Sequence, residues 1–200
     1  MQSHIKNRQN FIRAILFWIS FGLLPLTLFS QTYTLKSNEG EVLVTGTSTL
    51  HDWEEVAEQR SGTLVLDKTG ELPLINSLKF IVEAESLKSG KDAMDKNTYK
   101  ALDTKSHKQI EFQLKETKSV SPIVSTSNRF KVVTLGSLTI AGKTNVVEIT
   151  FNLTVQDGKV TLVGKQPLKM TDYGVEPPKA LLGTIKTGDE IEVHFNTIWN

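Results

Sequence analysis

The chain has 200 residues, with 23 basic and 22 acidic side chains and a formal net charge of +1. That length suits one domain of ordinary size, and the balanced charge leaves no electrostatic footprint for nucleic acid. The absence of cysteine excludes thiol catalysis, iron–sulfur clusters and Cys-ligated zinc.

Residues 1–30 read as a signal peptide and not as part of the fold. Lys6, Arg8 and Arg13 form a positive leader, and Ala14 to Phe29 is an uncharged apolar run broken late by Pro25. That run is shorter than the ~20 residues a spanning helix needs, so cleavage near Ser30 is expected. No stable membrane span is expected after cleavage. The remaining 31–200 segment carries 20 basic and 22 acidic residues, a net charge of −2. Export implies a periplasmic or secreted protein, and a domain of ~170 residues buries enough surface to fold without disulfides.

The exported segment reads as strand after strand. Tyr33 to Lys36 is a short alternation, Asn38-Glu39-Gly40 reads as a turn, and Glu41 to Thr47 follows as a strand with Val42 and Val44 on one face. Ser61 to Leu66 and Ser77 to Ser86 come next, the latter placing Leu78, Phe80, Val82 and Ala84 on one side. Residues 92–105 break the pattern. Met94, Ala101 and Leu102 lie at helical spacing, with Asp92 as the expected N-cap.

Strands resume at Gln109 to Lys115, with Ile110, Phe112 and Leu114 facing inward, and a hairpin is predicted across Ser127-Asn128. From Val133 to Leu162 two turn signals, at Ala141-Gly142-Lys143-Thr144 and Asp157-Gly158, cut three strands. Between them Val147, Ile149, Phe151, Leu153 and Val155 occupy every second position, which puts them on one buried face. Gln166 to Pro178 is irregular, with a short helix expected from Pro177 to Leu182. Glu190 to Trp199 is the last strand, with Ile191, Val193 and Phe195 on its apolar side. About eight to ten strands joined by short turns, with one helical excursion, predict an all-β antiparallel barrel or sandwich.

Four segments then carry a resemblance: Met94-Asp95-Lys96-Asn97 running into Lys108-Gln109-Ile110-Glu111-Phe112, Gly136 to Thr144 (G-S-L-T-I-A-G-K-T), Met170 to Val175 (M-T-D-Y-G-V), and Gly188 to Val193. In that order they resemble the YceI-like family of bacterial envelope proteins over nearly the whole exported chain. Two features depart from the commonest pattern: Gly46 to Trp53 is similar to a subgroup, and the basic Lys169 is displaced by one position. The resemblance implies a lipocalin-like extended antiparallel β-barrel with a long apolar pocket. It also implies non-catalytic binding of a long-chain amphiphile: a polyisoprenoid, an isoprenoid quinone or a fatty-acid-like lipid. No cofactor is implied beyond such a bound lipid or quinone.

The inward positions Phe80, Val82, Phe112, Leu114, Phe151, Leu153 and Phe195 are either packed core or the lining of a hydrocarbon tunnel. Trp53 is placed at the rim, with His51 beside the ligand head group, and Tyr173 and Leu181 are placed over an open barrel end, on loops that more often carry function than scaffold does. His51 and Asp52 are adjacent, so in a strand they point to opposite faces and form no catalytic dyad. Ser48 lies outside a nucleophile-elbow context. His51, His107 and His194 have no metal-binding spacing, so no metal is expected. The competing reading is a secreted β-sandwich with a filled core that binds glycan or protein. A homodimer through edge strands is allowed by the pattern but not required.

Overall fold

In a computed structural model residues 30–124, 128–180 and 183–200 are described. Residues 1–29 of the expected signal peptide, Ser127 of the expected hairpin turn and Leu181 fall outside them, and Ser30 opens the first strand. The strands are β1 (Ser30–Ser48), β2 (Trp53–Ala57), β3 (Arg60–Asp67), β4 (Leu74–Glu83), β5 (Leu87–Lys88), β6 (Gln109–Pro122), β7 (Arg129–Ile140), β8 (Lys143–Gln156), β9 (Lys159–Lys169), β10 (Lys179–Ala180) and β11 (Ile185–Trp199). The helix is α1 (Asp92–Ala101). No helix among the described residues is long and apolar enough to cross a membrane.

Eight antiparallel strands close a ring in the order β11-β9-β8-β7-β6-β4-β3-β1, and β1 pairs back onto β11. This is the predicted barrel. Closure removes the sheet edges that would otherwise recruit other chains. The β7-β8 and β8-β9 hairpins are the two read from sequence. Both have two-residue turns with positive φ at each central position, Ala141 at 46° and Gly142 at 77°, then Asp157 at 51° and Gly158 at 75°. That geometry matches the twist of the strands it joins. Burial along β8 alternates as expected, with Phe151 and Leu153 buried and Glu148 and Thr150 exposed.

Several local expectations are corrected. Asn38-Glu39-Gly40 is not a turn between two strands. It is an irregularity inside the single 19-residue β1, where the pairing with β11 jumps between Leu35 and Gly40. Gly40 takes φ 71° there, and the displaced carbonyls of Ser37 and Gly40 accept from the buried Arg60 guanidinium at 2.6 and 3.2 Å. A charged side chain thus closes a gap in the ladder that an unpaired buried carbonyl would make costly.

The helix ends at Ala101, four residues early, and Asp92 is its first residue while Lys91 is the cap and bonds no backbone donor through its side chain. Residues 170–173 form a short 3-10 turn ending at Gly174 with φ 71°, and of the expected 177–182 helix only 177–180 are described, without helix. Lys179–Ala180 is a two-residue strand. Trp53–Ala57 was not predicted. It continues β3 beyond a break and pairs with the second half of β1.

Candidate functional site: an apolar cavity in one half of the barrel

The interior is divided along its axis. At one end Tyr33, Leu64, Leu66, Val132, Leu153 and Val160 are almost fully inaccessible and pack directly against one another. Trp199 roofs that packed end. Its ring lies 6.4 Å from Phe80 at 56°, and its Nε1 donates to Thr197 Oγ1 at 3.0 Å. The next residue, Asn200, is pinned by a reciprocal backbone pair with Thr34 at 2.7 and 2.9 Å, which holds the indole in place.

Above Trp199 lies an apolar cavity of about 470 Å³. Its walls include Val42 and Val44 of β1, Leu78, Phe80 and Val82 of β4, Leu138 and Ile140 of β7, Ile149 and Phe151 of β8, and Ile191, Val193 and Phe195 of β11. Helix α1 closes one side with Met94, Asn97, Thr98 and Ala101, and the 170–175 segment closes another with Met170, Tyr173 and Val175. Ser48, Leu50, His51, Lys91 and Lys169 stand at its mouth, where Leu50 is 65% exposed.

Two glycines make room for the aromatic lining. A β-carbon on Gly164 would sit 2.6 Å from the Phe195 ring and 3.0 Å from the Thr150 carbonyl, and one on Gly46 would sit 2.3 Å from the Trp53 ring. The Phe195 ring so seated meets Phe151 edge-on at 6.3 Å and 71°, a favourable aromatic geometry.

Of the ten residues singled out from sequence, Trp53, Phe80, Val82, Phe112, Phe151, Tyr173 and Phe195 line this cavity. Leu153 and Leu114 do not. Each lies two residues beyond a lining phenylalanine on its own strand, and both pack into the filled end. Leu181 is outside the described residues.

In the polar cluster at 48–53 the side chains bond to nearby backbone. Ser48 Oγ accepts from the Leu50 and His51 amides, both at 3.2 Å, and donates to the His51 carbonyl at 2.7 Å. His51 Nδ1 donates to its neighbour's backbone carbonyl at 2.6 Å. These bonds shape a loop that carries Trp53 into β2, whose indole Nε1 donates to the Thr47 carbonyl at 3.0 Å.

The polar residue that sequence reasoning missed is Glu55. It is only 2% exposed, stands between Trp53 and Ala57 on the inner face of β2, and lines the cavity. Thr98 of α1 donates to its Oε1 at 2.6 Å. Burial among apolar side chains pushes its pKa up to about 7, with the nearby Asp95 carboxylate adding to the rise and the Thr98 bond opposing it. The doublet Glu54-Glu55 resembles a solvated turn, yet period 2 from Trp53 to Ala57 places Glu55 inside. Tyr173, like Thr197, is a further buried polar group lining this half. Its hydroxyl lies close to the Asn145 side chain without a partner in hydrogen-bond geometry, and burial raises its pKa.

The family model for the YceI-like domain matches residues 33–198. The chain belongs to the YceI-like family. Its fold is shared with solved structures at low identity. BcnA of Burkholderia cenocepacia is 17% identical with a TM-score of 0.64, over 82% of this chain and 98% of that one. A polyisoprenoid binding domain from Saccharophagus degradans, implicated in plant cell wall breakdown, is 13% identical with a TM-score of 0.65, over 84% and 97%. The Campylobacter jejuni YCEI protein is 15% identical with a TM-score of 0.54, over 70% and 80%. No curated protein matches the sequence. Within this YceI-like chain the matched segments fall at structural junctions. Gly136 to Thr144 is the β7-β8 hairpin, and Met170 to Val175 is the 3-10 turn that walls the cavity.

Proposed function

We propose that this YceI-like barrel binds a long-chain amphiphile in its cavity and carries or sequesters it after export, without catalysis. One observation carries the reading. The barrel is filled to the level of Trp199 and vacant above it, and the vacant half is walled by apolar and aromatic side chains. A volume of about 470 Å³ lies within the ~300–1,000 Å³ of ligand pockets. At ~30 Å³ per small group it holds on the order of 15 heavy atoms. Burying that many methylenes contributes roughly 12 kcal/mol at ~0.8 kcal/mol each, of which at least ~4 kcal/mol is offset by lost freedom.

A polyisoprenoid or isoprenoid quinone longer than this keeps part of its tail at the mouth, whereas a fatty-acid-like chain fits wholly inside. The likeness to the Saccharophagus polyisoprenoid binding domain supports the isoprenoid class. Export by the N-terminal leader supports a periplasmic or secreted site of action. The alternative of a filled β-sandwich binding glycan or protein does not suit a closed barrel with a vacant half. Solvent extraction of protein purified from its own host, followed by mass spectrometry, tests the reading. Stoichiometric release of one hydrophobic species is expected, and a lipid-free extract from folded protein refutes carriage.

A further inference from the structure

The wall of the cavity is mostly apolar, with Asn97, Thr98, Tyr173 and Thr197 among its polar members, and it holds one buried carboxylate. Glu55 projects from β2 among Val42, Val44, Ala57 and Leu102. Thr98 is its one hydrogen-bond partner among the described residues. A carboxyl group can take about four hydrogen bonds, so most of its capacity is left over.

Nothing in the barrel uses that remainder. The neighbouring Asp95 is as buried, yet it is fully engaged by the Ser89 amide at 2.9 Å, the Ser89 hydroxyl at 2.6 Å and Lys88 at 3.7 Å. Its charge therefore adds to the negative field at Glu55 without supplying a partner. An uncompensated acid in an apolar wall costs stability, and an apolar residue of that shape would pack there more favourably. The charged groups around it are Asp95 of α1, Lys88 of β5, and Lys91, His51 and Lys169 at the mouth. Lys91, Lys169 and His51 are solvent-exposed, where water and salt screen them, whereas Glu55 acts within the low-dielectric interior.

We infer that Glu55 is a head-group site, and that it selects amphiphiles whose head is an uncharged or cationic hydrogen-bond donor, an alcohol or an amine, over carboxylate or phosphate heads. This rests on the amphiphile-binding reading above and specifies which end chemistry that cavity accepts. The ionised carboxylate accepts a hydrogen bond from a hydroxyl or ammonium head and repels an anionic one. An anionic head would bind only with uptake of a proton by Glu55.

The test uses delipidated protein and three probes with the same tail: dodecylamine, dodecan-1-ol and dodecanoate. Each competes against a fluorescent hydrocarbon probe near pH 8, where the carboxyl is mostly ionised. The amine and the alcohol are expected to bind at least about tenfold more tightly than dodecanoate. Glu55→Gln is expected to reduce that preference to within about threefold while near-ultraviolet circular dichroism shows an intact fold, and Lys131→Ala, at an exposed position of β7 away from the cavity, is expected to leave it in place. Tight binding of dodecanoate by the wild type, or an undiminished preference in Glu55→Gln, overturns the head-group assignment while carriage stands. Failure of all three probes to bind, together with a lipid-free extract, overturns carriage itself and the assignment with it.

Discussion

The division of the barrel interior makes an unequal prediction for two chemically identical changes. Leu153→Ala and Leu168→Ala remove the same atoms. Leu153 is 0% exposed and enclosed by the packed cluster, so its loss removes transfer free energy and leaves a sealed void. Such voids cost ~24 cal/mol per Å³ on top of transfer, and the sum is about 3 kcal/mol. Leu168 is partly buried and borders the existing cavity. Its removal widens a space that is already open and creates no new void, which leaves about 1 kcal/mol of transfer. For a domain of this size each kcal/mol moves Tm by roughly 2–4 °C. Thermal unfolding should therefore fall by about 6–12 °C in Leu153→Ala and about 2–4 °C in Leu168→Ala. The protein must be delipidated first, because a ligand at 100 times its Kd adds ~2.7 kcal/mol and masks the difference. Equal losses in the two variants would show that the upper half is packed like the lower, and the cavity argument would fail.

Other expectations follow from particular contacts. Phe112→Trp and Phe151→Trp place a larger ring into the cavity, so lipid recovered per mole of protein should fall by more than stability does; unchanged recovery would make these residues core. Gly164→Ala drives a methyl into the Phe195 ring and the Thr150 carbonyl and should cost about 1–3 kcal/mol in urea unfolding, with a wild-type midpoint counting against that close approach. Glu55 sets a pH dependence. Its folded pKa of about 7 lies above the unfolded value near 4.5, so the native state holds the extra proton between them. Stability should then decline as pH rises from about 4.5 to 7, by roughly 3 kcal/mol at 1.36 kcal/mol per pKa unit. Unfolding curves across that range should be flatter in Glu55→Gln, and a slope unchanged by the substitution would place its origin elsewhere.

How much of this was readable beforehand depends on the range of each interaction. The β7-β8-β9 meander is local: alternation and two-residue turns dictate it, and both lie within the sequence window that specifies them. Closure of the barrel is not local. β1 meets β11 from the far end of the chain, and no periodicity records which edges will pair. Asn38-Glu39-Gly40 carries a turn's composition because a left-handed glycine serves a turn and a bulge equally well. What distinguishes them is Arg60, twenty residues further on, bonding the freed carbonyls. Phe151 and Leu153 show a different limit. Period 2 assigns both to the inner face and says nothing about depth along the axis, where two residues separate a cavity wall from a sealed core.

Depth shows in how the polar groups are satisfied. Away from the cavity the buried Thr134 hydroxyl donates to the Ile149 carbonyl at 3.1 Å, and at the cavity wall Thr197 donates to the Leu162 carbonyl at 3.4 Å while accepting from Trp199. In the vacant half Glu55 keeps one partner for a group that can take several, and the Tyr173 hydroxyl has none. Buried polar groups in folded proteins are nearly always paired, so unpaired ones gathered around a cavity point to a missing component and not to a poor core. Outside the cavity Arg60 Nε is also buried without a partner, on a guanidinium whose Nη2 is already bonded twice. Glu55 and Tyr173 differ from it in lining open space, where their capacity is left for the molecule that enters.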